Sequence, residues 1–305
     1  MDLIILGSSS MTPTEFRNHP SFFLSLDSYG FLFDVGEGTQ RQIRLARIKP
    51  SRISAVFLSH WHGDHALGLP GLFQMLAANN YSKVLRVIGP KNTKKKIEQI
   101  LRIFEFTSPL KIDVTEIDDS KTIDFGQYYV KPIKLIHSCE TYGFIVFKKS
   151  QIKLNKYKLA RYALSIDQIK SLKAGKKVRV NDGFLSYKDV GNIVPEEKLF
   201  AYISDTLYFK NLISLLKNVN VLLIEATYAK QDSAKAEEYY HLSMDQALKI
   251  AKDSKVKYCI LTHFSQRYKE ESVLELELEK LKKELDIDFE VNLARDLKRY
   301  VFNLN

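Results

Sequence analysis

Cysteine is almost absent from this chain of 305 residues. Cys139 and Cys259 are the only two, too few for a disulfide framework, which points to an intracellular, cytoplasmic protein. Both stand in apolar, strand-like surroundings and read as ordinary buried thiols. No stretch approaches the roughly 20 apolar residues that a membrane span requires, so no membrane partner is expected. The opening Met1-Asp2-Leu3-Ile4-Ile5-Leu6 is apolar but carries no basic flank and is cut short by Gly7-Ser8-Ser9-Ser10. It reads as a first strand and not as a signal peptide. Internal repeats and low-complexity tracts are lacking as well, which excludes solenoid architectures.

Acidic side chains are in deficit: 36 Asp and Glu stand against 46 Lys and Arg, a formal charge of +10. The imbalance is local. Residues 148–198 hold 13 Lys and Arg against five Asp and Glu, a balance of +8 that leaves only about +2 for the rest of the chain. A block of this kind attracts phosphate polyanions by counterion release, although a lysine-rich face can also be merely solvated.

What is plentiful is apolar residue, at 45% of the chain, enough for a large core in one or two domains. Short β-prone runs alternate with amphipathic ones. Strands are expected at Leu3–Leu6, at Ser21–Leu26 and Phe31–Asp34 with a turn at Ser28-Tyr29-Gly30, and then at Ile53–Leu58. A helix through Ala46, a helix Leu72–Ala78, a strand Val84–Ile88 and a helix Lys94–Phe104 follow. Later strands are expected around Tyr128–Ile136, Tyr142–Phe147, Leu199–Ile203, Val221–Ile224 and Tyr258–Leu261, with helices near Tyr208–Leu216, Met244–Lys252 and Glu271–Leu285. Within the basic block only Ile166–Lys173 has a helical pattern. Strands arriving in two runs, with helices after each, predict two packed sheets with helices outside.

The strand at Ile53–Leu58 breaks off into Ser59-His60-Trp61-His62-Gly63-Asp64-His65, four potential metal ligands within six residues. Side chains at i and i+2 of an extended chain point the same way, so His60 and His62 can grip one metal. Gly63 lets the chain turn sharply, so that Asp64 and His65 can face a second. Imidazole nitrogen and carboxylate oxygen suit Zn²⁺ in a hydrolytic site. His137, His263 and Asp205 each follow an apolar strand, and His241 precedes a helix. Strand ends at one edge of a sandwich can converge on a single site. His19, in an early loop, stands apart.

The pattern His60-x-His62-x-Asp64-His65 with His137, Asp205 and His263 resembles the metallo-β-lactamase superfamily. Further stretches narrow the resemblance to the ribonuclease Z family: Leu6-Gly7-Ser8 to Pro13, Arg17-Asn18, Phe33-Asp34-Val35-Gly36-Glu37-Gly38-Thr39-Gln40, Gly68-Leu69-Pro70-Gly71-Leu72, Ser204-Asp205-Thr206, Glu225-Ala226-Thr227 and Thr262-His263-Phe264-Ser265-Gln266-Arg267-Tyr268. They span nearly the whole chain. The resemblance implies an α+β fold, a four-layer αββα sandwich over residues 1–305 with a protruding arm inserted at 148–198. It also implies a zinc-dependent endoribonuclease that removes the 3′ trailer from precursor tRNA, leaving a 3′-hydroxyl on the tRNA and a 5′-phosphate on the trailer. The family is homodimeric.

By the same resemblance His60, His62 and His137 hold one zinc, Asp64, His65 and His263 the other, and Asp205 bridges them, two Zn²⁺ per chain with Mn²⁺ or Fe²⁺ as substitutes. Asp34 matches a buried aspartate that orients a ligand. Asp64 accepts the proton of water, and His241, supported by Glu225, protonates the departing oxygen; without the resemblance Glu225 would read as a surface or capping acid. The arm, with Lys173, Lys176, Lys177 and Arg179, is expected to grip tRNA away from the active site, and Arg17 and Asn18 to contact substrate. Three departures stand out. The arm lacks the family's Gly-Pro pair. Glu15 replaces a lysine in the loop Pro13-Thr14-Glu15-Phe16-Arg17-Asn18 that helps relatives reject tRNA ending in CCA. His241-Leu242-Ser243 stands for His-Ser-Thr. A small-molecule hydrolase of the same fold needs no basic arm, and a non-catalytic RNA-binding module needs no ligand set.

Overall fold

The structure is a computed structural model that describes residues 1–181 and 183–303. Among these, two seven-stranded mixed sheets form the frame. The first runs, edge to edge, Arg299–Val301, Asp2–Gly7, Ser21–Leu26, Tyr29–Phe33, Ala55–Phe57, Val84–Gly89 and Lys111–Glu116. The second runs Glu290–Leu293, Tyr258–Thr262, Val221–Glu225, Glu197–Ile203, Tyr142–Lys148, Tyr128–Lys134 and Ile123–Phe125. In each sheet one half is antiparallel and the other parallel.

Alternation along the strands decides which layer each residue fills. Leu3, Ile5, Phe22, Leu24, Phe31, Phe33 and Phe57 face the second sheet, whose Phe144, Phe200 and Tyr202 meet them in one buried cluster. Phe33 lies 5.1 Å from Phe57 and 5.4 Å from Phe200, ring centre to ring centre. The intervening residues Ile4, Leu6, Phe23, Leu32, Val56 and Leu58 face outward, onto Ile43, Leu69, Leu72, Phe73, Leu76 and Ile97 of the helices Thr39–Leu45, Leu69–Ala78 and Thr93–Ile103. On the far side Leu212, Leu216, Ala247, Leu248 and Ala251, from helices Lys210–Leu216 and Met244–Asp253, pack on the second sheet. The result is the αββα order expected from the sequence.

Two details correct that expectation. The hairpin turns at Asp27-Ser28, because Leu26 pairs with Tyr29 and Ser25 with Gly30. Asp27 takes the left-handed conformation (φ 45°) that a short Asx side chain tolerates in a two-residue turn. Gly30 is needed inside the strand instead, since a Cβ there would lie 2.2 Å from the Arg52 carbonyl oxygen. Cys139 sits in a loop and is half-buried, not a strand thiol; Cys259 is fully buried in its strand as expected.

Within the basic block, Gln151–Leu154 pairs with Gly191–Val194 as an antiparallel stem. It carries the expected helix Ile166–Lys173, two shorter helices and a hairpin, Val178–Val180 with Gly183–Leu185. Leu172, Val178, Leu185 and Val190 form a small core separate from those of the sandwich. The additional elements escaped the sequence because each is only three or four residues long, below one full hydrophobic period. No helix among the described residues is long and apolar enough to cross a membrane.

Candidate active site

The strand Ala55–Phe57 is wholly buried, and its line continues through Leu58, whose amide donates to the Ile88 carbonyl at 2.8 Å. His60 and His62 follow on this extended exit. The chain then winds into a one-turn helix, Gly63–Ala66, which swings Asp64 and His65 inward. The chain does turn at Gly63, which begins that helix without a positive φ.

Three parallel strands of the second sheet end at the same edge. They deliver Asp205 after Ile203, Glu225 at a strand terminus and His263 after Thr262, while His137 follows the strand Tyr128–Lys134. The carboxylate of Asp205 lies at the centre, 3.7 Å from His60 Nε2, 3.5 Å from His65 Nε2, 3.8 Å from His137 Nε2 and 3.4 Å from His263 Nε2. Asp64 lies 3.3 Å from His65 Nε2 and 3.4 Å from His263 Nε2. The ligand atoms fall into groups able to hold an ion: His60, His62, His137 and Asp205; Asp64, His65 and His263; and a third that the sequence did not suggest, Asp205, His241 and His263.

The hydrogen bonds behind these rings decide what they present inward. Asp34, completely buried, accepts from the Ser59 amide (2.7 Å), Ser59 Oγ (2.8 Å), Tyr202 Oη (2.6 Å) and His65 Nδ1 (2.7 Å). The Tyr240 carbonyl accepts from His137 Nδ1 at 3.0 Å. Each of those bonds orients its ring with Nε2 toward the centre, where His65 meets His263 Nε2 at 3.3 Å and His137 meets His62 Nδ1 at 3.3 Å. His60 Nε2 is buried with no hydrogen-bond partner. Nitrogen lone pairs converging on carboxylates, with one donor site orphaned, fit a divalent cation and little else.

Electrostatics point the same way. Burial pushes His60 well below the ordinary histidine range and lowers His62 and His137. Burial would raise Asp205, but the imidazoles of His263, His65 and His241 hold it well below the usual carboxylate range. His65 is the exception among the rings: burial disfavours its charge, yet Asp64, Asp205 and Asp34 together raise it. Asp34 and His263 both adopt positive φ, 54° and 64°, a backbone cost concentrated where the site is built.

His241 sits at the rim, its Nδ1 3.2 Å from Glu225 Oε1 and 4.0 Å from Asp205. Glu225 is fully buried and no surface acid; it also accepts from the Thr206 amide at 2.7 Å and Thr227 Oγ1 at 2.6 Å. Burial works against a proton on His241, but Glu225 and Asp205 outweigh it and raise the pKa to about 9. The cluster opens into a cleft of about 790 Å³, lined also by Met11, Thr12, Leu67, Tyr239, Tyr240 and Arg267.

Not every candidate residue reaches the cleft. Arg17 donates to the Tyr268 carbonyl at 3.1 Å and lies over the Phe264 ring, and the Asn18 side-chain amide donates to the Glu37 carbonyl at 2.7 Å. Both brace the early loop, and neither lines the cleft. Lys173, Lys176, Lys177 and Arg179 are exposed on the separate basic segment. His19 lines the cleft but stays outside the ligand groups, its Nε2 donating to the Met11 carbonyl at 3.1 Å. Sequence reasoning missed Ser59, Tyr202 and Thr227; the signal was the alternation Tyr202-x-Ser204 and Glu225-x-Thr227, which puts both members of each pair on one strand face.

The profile of the metallo-beta-lactamase superfamily matches residues 14–148, and that of a beta-lactamase superfamily domain matches residues 168–264. With the two-sheet sandwich and the His/Asp cluster at its edge, these define a hydrolase of the metallo-β-lactamase fold that uses divalent metal. The chain is 36% identical over 267 residues to a Ribonuclease Z of Nanoarchaeum equitans, covering 87% of this chain and 84% of that protein. It is 35% identical over 308 residues to one from Methanococcus maripaludis, covering 98% of each. The short form of human tRNase Z superposes over both whole chains with a TM-score of 0.70 at 23% identity, a likeness of fold. The chain belongs to the ribonuclease Z family, and is an endoribonuclease.

Proposed function

We propose that this enzyme removes the 3′ trailer from precursor tRNA, cutting one phosphodiester so that the tRNA keeps a 3′-hydroxyl and the trailer a 5′-phosphate. The observation that carries this is the pairing of the metal-fitting cluster with the His241–Glu225 couple at its rim, in a chain 34–37% identical to proteins named Ribonuclease Z. His60, His62 and His137 would hold one Zn²⁺ and Asp64, His65 and His263 a second, with Asp205 placed beside both groups. Divalent cations bound there would supply Lewis-acid polarisation of the phosphodiester and a more acidic attacking water. Asp64 takes the proton of that water. The P–O3′ bond breaks as the new P–O bond forms, and His241 gives its proton to O3′.

Glu225 makes that donation possible. By accepting from Nδ1 it fixes the ring and leaves Nε2 to face the leaving oxygen. With Glu225 and Asp205 raising its pKa to about 9, His241 keeps at neutral pH the proton that a general acid must give. His241→Ala is expected to lower kcat by roughly 10²–10⁴-fold with metal content unchanged; a near-normal rate would make the residue structural. Glu225→Gln removes the carboxylate that raises the pKa, so the alkaline fall of the rate should move to lower pH.

The segment 148–198 serves as an exosite for tRNA, its charge tracking the phosphate backbone. The protein acts in the cytoplasm as a homodimer. Mapping both product ends from a trailer-bearing precursor tRNA tests the reading directly. A 3′-phosphate on the tRNA fragment, or no cleavage by zinc-loaded protein, would overturn it.

A further inference from the structure

The cleft wall beside His241 carries two consecutive tyrosines whose side chains neither metal binding nor proton transfer employs. Tyr239 and Tyr240 both line the cleft, are 53% and 41% exposed, and belong to no part of the apolar core. Tyr240 holds a φ of 60°, a conformation an L side chain adopts only at some cost. Its carbonyl is pinned by His137 Nδ1 at 3.0 Å, and the next amide, of His241, donates to the Ala236 carbonyl at 2.7 Å. The backbone so held sets the direction in which the side chain leaves the chain, and its ring lies 6.4 Å from the His137 ring and almost perpendicular to it at 83°. Tyr228, 6.1 Å from His241, already has the Arg267 guanidinium over its face at 5.1 Å. Tyr239 and Tyr240 are left to offer aromatic surface to the cleft.

What they meet follows from the polarity of the reaction. His241 protonates O3′, so the nucleoside on its side of the phosphate is the one that keeps O3′, upstream of the cut. We infer that Tyr239 and Tyr240 form a stacking platform for the nucleobase immediately upstream of the scissile phosphate, the last nucleotide of the mature RNA. This rests on the trailer-cleavage reading and on the role of His241 within it. Every base has a π face, so stacking secures that nucleotide without selecting its identity. It also holds O3′ against His241, where a small misplacement would be costly.

The test uses the zinc-loaded enzyme and the product, a tRNA ending at its cleaved 3′-hydroxyl with 2-aminopurine as the last base; this RNA is not consumed. Stacking should quench the fluorescence when wild-type enzyme binds, and 2-aminopurine placed two nucleotides upstream should respond less. Tyr239→Ala/Tyr240→Ala should lose the quench and raise KM for precursor tRNA about 5- to 100-fold. Tyr239→Phe/Tyr240→Phe, which keeps both rings, should retain the quench and a wild-type KM. Absence of a terminal quench in the wild type overturns the inference without recourse to any variant, as does a quench that survives in a folded, metal-loaded double alanine variant. Failure of the underlying reading is separate: in that case wild-type enzyme would not cut precursor tRNA at the trailer.

Discussion

Asp205→Ala is expected to lower trailer cleavage by at least about 10³-fold while tRNA binding stays essentially unchanged. The Asp205 carboxylate approaches both metal-fitting groups, with imidazole nitrogens of His60, His65, His137 and His263 between 3.4 and 3.8 Å away. Removing it leaves those rings converging on one another with no central anion to balance a cation. Lewis-acid stabilisation of several kcal/mol would go with it, and each 1.36 kcal/mol is about a factor of ten in rate. Wild-type protein should hold two metal ions per chain by elemental analysis and the variant fewer. On the exosite proposal binding should persist, because most of the chain's excess positive charge lies in residues 148–198, which have a core of their own. A variant that cleaves at more than a tenth of the normal rate would remove Asp205 from the site, and a collapse of binding would show that affinity and chemistry share residues.

Deleting residues 152–194, or reversing Lys173, Lys176, Lys177 and Arg179, should raise KM for precursor tRNA by orders of magnitude. The deletion cuts at the base of the stem, where Gln151 pairs with Val194, so the two chain ends it leaves lie close together. The four cations are exposed on the helix end, the connection after it and the first strand of the hairpin, next to the small core of Leu172, Val178 and Leu185. For every phosphate left without its cation, the dependence of log affinity on log salt should flatten by close to one unit. Hydrolysis of bis(p-nitrophenyl) phosphate, too short to reach the segment, should survive. Loss of both activities would make the segment part of the catalytic fold. If neither changed, the +8 balance would be a solvated surface and tRNA would be held elsewhere.

The metal-fitting residues were legible in the sequence because their chemistry demands particular side chains close together. His60, His62, Asp64 and His65 occupy six positions, and no other common role calls for that density. The two-sheet sandwich was legible for a related reason: alternation such as Leu3/Ile5 against Ile4/Leu6 is a property of each strand alone, and it assigns residues to layers before any strand is paired. The hairpin turn at Asp27-Ser28 and the half-buried loop position of Cys139 were not, since register depends on the partner strand and burial on everything packed around it.

The roles of residues distant in sequence were decided only by the folded chain. Without the family resemblance Glu225 reads as a surface or capping acid until its strand is placed beside the one ending in Thr262, which buries it against Thr206 and His241. Tyr202 lies 168 positions from the Asp34 carboxylate it donates to, and no local pattern records that bond. Arg17 and Asn18, polar residues in a loop, brace that loop on Tyr268 and Glu37. By itself the sequence determined the ligand types, the strand faces and the location of the positive charge, all set by covalent order and local periodicity. Tertiary structure decided which lone pairs face inward, which acid pairs with His241 and where the aromatic wall of the cleft stands, because each depends on hydrogen bonds between strands that only folding brings side by side.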